Sequence, residues 1–322
     1  MIRVKSLSLA LDESALLYSA RGLGIFLVVF AHVIPGPQNR YIYLFHMPFF
    51  FFLSEMAACR FSSWDLESIF RRLVFLICPA VFAIFVVCIL TRLNPGCVDI
   101  EFLKLSECAR LSFGAGGFSG VFSAFWFIPA IGLCYVLFFL ARKVPTPYLL
   151  ITVLFFVSLA FNYLVDLKFI PTLLLSAIYG FQFFLIGYLF PYRLINKLGF
   201  WFFLITFLLF LTTFVFDSTL DLAARNYGSP VFSLLVSIVF SVFIVKLISL
   251  LTAFPGVLGL FSYLGQSSLF ILMYHQAIHL GLEYLLPGLS LIIVFLISLI
   301  FPVLVYYLLA GRSGYLRYLG IK

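Results

Sequence analysis

The chemistry of this 322-residue chain centres on its four histidines, all of which fall in apolar stretches. An imidazole can accept and donate protons near neutral pH, and an ionisable side chain inside an apolar helix is costly enough to mark a functional candidate. His32 follows Arg21 by eleven residues. In a helix that is roughly 1,100° of rotation, three turns plus about 20°, so the two share a face and stand about 16 Å apart along the axis. Each alone has a plain explanation: Arg21 snorkels to headgroups and His32 marks the far interface. Their common face favours one polar channel. His46 lies a few residues into the next apolar run, at a depth similar to that of His32, where the two rings can meet. The string Phe45-His46-Met47-Pro48-Phe49-Phe50-Phe51-Phe52-Leu53-Ser54 carries a proline that can kink the helix, and its aromatic run is lipid-facing or packing surface. His275, His279 and Glu283 recur at i, i+4 and i+8, on one helical face. The spacing is not HExxH and lacks an evident fourth ligand, so a hydrogen-bonded stripe lining a cavity is expected, and no metal.

The elements that must position these groups are membrane helices. Hydrophobic residues make up 64% of the chain and charged residues 10%, against about 25% charged in soluble domains. So few charges cannot coat a water-exposed surface. The net charge of +8 fits the basic bias of cytoplasmic loops better than nucleic-acid binding, because no basic run with interleaved aromatics lies outside the apolar stretches. A span takes about 20 apolar residues. The runs predict an all-α, polytopic transmembrane helix bundle forming a single domain over 1–322, with about ten spans: 15–34, 41–59, 71–91, 121–141, 148–166, 172–190, 199–216, 230–252, 266–286 and 289–310. Turn chemistry marks the breaks, as at Pro35-Gly36-Pro37, Asn94-Pro95-Gly96, Pro255-Gly256 and Pro287-Gly288.

Alternate loops differ in basic residues. Thirteen fall on one side, Arg71, Arg72, Arg142, Lys143 and Lys246 among them; six fall on the other, and Arg21 lies inside the first span. The richer side is expected to be cytoplasmic, with both termini on it. No cleavable signal peptide is expected; the first helix is the insertion signal. The longest connection, 92–120, ends in a glycine-rich run over 114–120 that reads as a flexible linker or a mobile lid. Cys97 and Cys108 share that loop and can pair if it faces an oxidising space.

Arg21-Gly22-Leu23-Gly24-Ile25-Phe26-Leu27-Val28-Val29-Phe30-Ala31-His32 resembles the opening signature of the acyltransferase-3 family of integral membrane O-acyltransferases: arginine or lysine, ten residues, then histidine. The string around His46 resembles that family's second signature, which usually ends in Ser-Gly; here Glu55 stands in the glycine's place, where it can pair with Arg60 or Arg71 or alter donor binding. Weaker likenesses run through Arg71-Arg72-Leu73, Trp126-Phe127-Ile128, Phe184-Leu185-Ile186-Gly187-Tyr188 and Tyr263-Leu264-Gly265-Gln266-Ser267-Ser268-Leu269 with His275.

The resemblance implies transfer of an acyl group, commonly acetyl from acetyl-CoA, to a sugar hydroxyl of an exopolysaccharide or lipopolysaccharide at a bacterial inner membrane. It implies no bound cofactor: the acyl-CoA is a co-substrate, and the partners are a glycan or lipid-linked sugar and the lipid bilayer. Arg71 and Arg72, with Arg21, are the candidates for the donor's phosphates. His32 is the candidate general base, and His46 would orient it, bind substrate or carry the acyl group. Glu55, Trp126, His275, His279 and Glu283 are candidate cavity-lining residues. A transporter or flippase for a glycan or small molecule also suits intramembrane Arg and His, and a non-catalytic scaffold would use them to join helices.

Overall fold

The computed structural model describes residues 2–58, 65–93, 120–143, 172–190, 192–215, 220–222 and 228–309, with isolated positions between 149 and 160. Within them the regular elements are helical: α1 (Ile2–Val33), α2 (Gln38–Ala58), α3 (Leu66–Leu93), α4 (Phe127–Arg142), α5 (Thr172–Leu189), α6 (Tyr192–Asn196), α7 (Phe200–Thr212), α8 (Pro230–Leu250), α9 (Pro255–Gln266), α10 (Ser268–Leu285) and α11 (Leu291–Leu309). Among the described residues, five stretches are long and apolar enough to cross a membrane, in α1, α3, α4 with the 3-10 turn before it, α8 with the 3-10 turn after it, and α11; α9 and α10 make a sixth if the bent pair is counted as one span. Helix α5 and helix α7 are shorter apolar helices. The expected span at 148–166, the loop bearing Cys97 and Cys108, and Arg60 lie outside the described residues.

Helix α2 lies at the centre, packed against α1, α5 and α8. Its phenylalanines are packing surface rather than lipid contact: Phe49, Phe51 and Phe52 are buried, and the Phe51 ring meets Phe127 of α4 edge-on with centroids 5.0 Å apart. The outer helices are built the other way. Phe70, Val81 and Phe85 of α3, Trp201 and Phe207 of α7, and Ile292 and Leu304 of α11 point outward. In water such a surface would drive aggregation; against hydrocarbon it is the solvated face.

Pro255 starts a helix where a loop is expected. Proline lacks an N–H, and the first turn of a helix has no use for one. Helices α9 and α10 meet at a 73° bend. Ser267 sits in the bend, buried, and its hydroxyl donates to the carbonyls of Tyr263 and Leu264 at 3.1 and 3.2 Å. The Tyr263 carbonyl also accepts from the Ser267 N–H and the Tyr307 hydroxyl, so the Ser267 side chain chiefly serves the Leu264 carbonyl at the end of the broken helix.

Helix α9 lies along α1 at backbone contact. A Cβ on Gly22 would stand 1.8 Å from the carbonyl oxygen of Phe261, and one on Gly265 would stand 1.7 Å from that of Tyr18. Small residues at a membrane-helix crossing let the backbones meet in this way. The Ser19 hydroxyl donates to the Leu258 carbonyl at 2.9 Å across the same seam. Gly259, on the same helix, has open space around its missing side chain. Gly265→Val must therefore force α1 and α9 apart and cost about 3 kcal/mol or more, whereas Gly259→Ala should stay within about 0.5 kcal/mol. Thermal unfolding of the detergent-solubilised protein checks the pair; equal behaviour of the two variants would refute the contact.

Candidate functional site

Helix α1 ends one residue beyond His32, and its last carbonyls need donors. Asn39, just after the Pro35-Gly36-Pro37 turn, supplies them: its amide donates to the Ala31 and Ile34 carbonyls at 2.7 and 3.0 Å. The Tyr43 hydroxyl reaches the same Ala31 carbonyl at 3.3 Å. The helix end carrying His32 is thus tied to the start of α2.

His46 is held by a different device. Pro48 has no N–H, so the carbonyl four residues earlier, on Leu44, loses its helical partner. The Ser237 hydroxyl of α8 donates to that carbonyl. Ser237 is buried, as are Ser233 and Ser241 one turn to either side, and this strip of small residues brings α8 close against α2. The Nδ1 of His46 lies 3.1 Å from the Ile42 carbonyl. A carbonyl only accepts, so Nδ1 carries the proton and Nε2 of the neutral ring is the free acceptor.

These elements surround a cavity of about 370 Å³ whose wall includes His32, Tyr43, His46, Ser123, Trp126 and Asp221. The His32 ring centre is 5.8 Å from that of Tyr43, 6.4 Å from that of His46 and 5.4 Å from that of His275 on α10. Trp126 reaches the wall from a turn that follows Gly120–Phe122; Gly120 starts it with φ +56°, a left-handed conformation suited to glycine. The rest of the glycine-rich run lies outside the described residues. Asp221 sits between the buried Leu220 and Leu222. The Ser176 hydroxyl, donating to the Leu222 carbonyl at 2.8 Å, pins that loop to α5. Asp221 is within electrostatic reach of His32 and Tyr43. Among the described residues no three His, Cys, Asp or Glu side chains form a metal-binding group.

A second polar cluster lies toward the start of α1. The Arg72 guanidinium stands over the Tyr135 ring, 5.4 Å from its centre. Arg21 and Glu55 act electrostatically on the same tyrosine, and Ser54 is hydrogen-bonded to it. Glu55 is fully buried. Arg71, one residue from Arg72, points away: it is 68% exposed and paired with Glu67 on its own helix. The His279 Nε2 lies 3.0 Å from a carboxylate oxygen of Glu283, which is about half exposed, so the polar stripe of α10 runs from His275 beside the cavity to the protein surface.

The structure thus gathers His32, His46, Trp126 and His275 at or beside one cavity, and Arg21, Glu55 and Arg72 around Tyr135. It leaves Arg71 and Glu283 outside both groups. Tyr43, Asn39, Ser123, Tyr135 and Asp221 are further site residues that spacing did not reveal. Asp221 had a faint signal, a carboxylate between two leucines; Tyr135 had none, being one aromatic among many.

An all-helical bundle with several apolar spans, in which the first helix contributes His32 to an imidazole-lined cavity and Arg21 to a separate charged cluster, has the form of a multi-pass membrane protein. The family model for the acyltransferase domain matches residues 17–311, and the chain belongs to this family, the acyltransferase-3 membrane acyltransferases. No curated protein and no solved structure matches the chain.

Ser237→Ala should leave the Leu44 carbonyl buried without its donor, costing about 1–3 kcal/mol, and loosen the helix that carries His46. A lowered unfolding temperature together with reduced acyl transfer is the expected result, and Ser237→Thr, which keeps the hydroxyl, should retain more of both.

Proposed function

We propose that this acyltransferase moves an acetyl group from acetyl-CoA to a sugar hydroxyl of an exopolysaccharide or lipopolysaccharide, at a bacterial inner membrane. The observation that carries the reading is the placement of His32 on the cavity wall while Arg21, on the same helix, belongs to the Arg72–Tyr135 cluster. The bundle in this reading has about ten spans with both termini in the cytoplasm, the side that receives thirteen of the twenty basic residues. The cationic cluster then faces the compartment that contains coenzyme A.

The donor's phosphates are bound by Arg72 and Arg21 through charge-assisted hydrogen bonds, and its pantetheine arm extends along α1 toward His32. The sugar enters the cavity from the opposite side, where Trp126 and Tyr43 offer aromatic faces and Asp221 accepts hydroxyl hydrogen bonds. His32 takes the proton from the attacking hydroxyl as its oxygen forms a bond to the thioester carbonyl carbon. The carbon–sulfur bond then breaks, and the imidazolium returns the proton to the departing thiolate. His46, which lines the same cavity, binds the acceptor or orients the base. Glu55 sets the charge of the donor cluster in place of the family's usual glycine.

Labelled acetyl transfer in membranes tests this directly. His32→Ala should abolish transfer at unchanged protein abundance; full activity would exclude it as the base. Arg72→Ala should raise the KM for acetyl-CoA about tenfold or more, as expected for a lost charge-assisted contact. Arg71→Ala should change it little, because that side chain is turned to Glu67. Comparing the acetyl content of surface glycans with and without the gene identifies the acceptor.

A further inference from the structure

His275 is fully buried in α10. Its Nδ1 lies 3.0 and 2.9 Å from the carbonyls of Ile271 and Leu272. Two carbonyls can only accept, so Nδ1 carries the proton and the tautomer of the neutral ring is fixed. Its Nε2 is buried with no hydrogen-bond partner. An orphaned acceptor of this kind in a membrane bundle is costly unless something uses it.

The neighbour placed to use it is His32. An N–H···N bond of about 3 Å between two imidazole edges puts the ring centres about 5 Å apart. The His32 and His275 centres are 5.4 Å apart, and those of His32 and His46 are 6.4 Å apart, too far for the same contact. A small rotation of His32, whose ring borders open cavity, brings one of its nitrogens onto the His275 Nε2.

We propose that His275 is a positioning residue for His32: its Nε2 accepts the N–H of one His32 nitrogen, which leaves the other nitrogen as a lone pair directed at the acceptor hydroxyl. When His32 takes the proton, the same bond is retained and becomes charge-assisted, so the imidazolium is stabilised where it forms. The backbone of α10 thus sets the tautomer of His275, and His275 sets that of His32. This rests on His32 acting as the base. It adds a requirement for a lone pair at one point in the bundle, which packing alone would not impose.

The test compares His275→Phe with His275→Gln. Phenylalanine fills the ring's volume without a lone pair, and the glutamine Oε1 can occupy the place of Nε2. In membranes, at matched abundance, His275→Phe should lower kcat about 10- to 100-fold, within the range that general-base catalysis supplies, with the KM for acetyl-CoA changed less than about twofold. His275→Gln should recover at least several-fold of the lost kcat. Full kcat in the Phe variant overturns the proposal. So does equal loss in the two variants, or loss that merely follows reduced abundance, since either assigns His275 to packing. His32→Ala, measured alongside, separates the two ideas: activity surviving that change removes the base itself, whereas its loss together with a fully active Phe variant removes only the role of His275.

Discussion

Backbone contact between α1 and α9 at Gly22 and Gly265 is the constraint on which the rest of the bundle depends. Hydrocarbon gives no hydrophobic incentive for one apolar helix to leave lipid for another, so association rests on close packing and polar contacts. Here the main chains touch, with no room for a Cβ on either side. From that crossing each strand of the chain runs ten residues to an imidazole, Gly22 to His32 and Gly265 to His275, and the two rings end 5.4 Å apart. The 73° bend after α9, where the Ser267 hydroxyl donates to the Tyr263 and Leu264 carbonyls, sends α10 past the end of α1 with its histidine beside the cavity.

Around that seam the protein repeatedly turns a backbone defect into a position. Pro48 strips the Leu44 carbonyl of its partner, and Ser237 from a neighbouring helix replaces it. The end of α1 leaves carbonyls open, and Asn39 and Tyr43 close them. In a membrane such groups have no water to fall back on. Each repair therefore ties two helices together, and two of these ties lie within two residues of a cavity histidine.

The bundle is also sorted by polarity in a way that suits the proposed transfer across it. The exposed faces of α7 and α11, and of α3 beyond its Glu67–Arg71 pair, are largely apolar, while α1 contributes polar groups to two places inside the bundle: Arg21 to the Arg72–Tyr135 group and His32 to the imidazole cavity. The proposed reaction, between a charged donor and a polar acceptor that approach from opposite sides, is favoured by this separation. The first helix spans both places, which gives physical content to the spacing of eleven between Arg21 and His32.

The sequence by itself determined the class of molecule, because charge scarcity and long apolar runs leave few alternatives, and it marked Arg21, His32 and His46 because ionisable groups are conspicuous in apolar helices. The family was legible in the two motifs of the first helices. What only the tertiary structure decided was which polar groups meet. Helical spacing places His275, His279 and Glu283 on one face, yet only the packing of α10 against α1 puts His275 beside His32 and leads Glu283 outward. Adjacent arginines look equivalent in sequence; a 100° step around α3 sends Arg72 to Tyr135 and Arg71 to Glu67. Asp221 and Tyr135 gave little or no signal, since a loop carboxylate and one aromatic among many acquire meaning only from what the fold places next to them. Periodicity reports a residue's face on its own helix, and the neighbour that face meets is set by contacts distant in the chain.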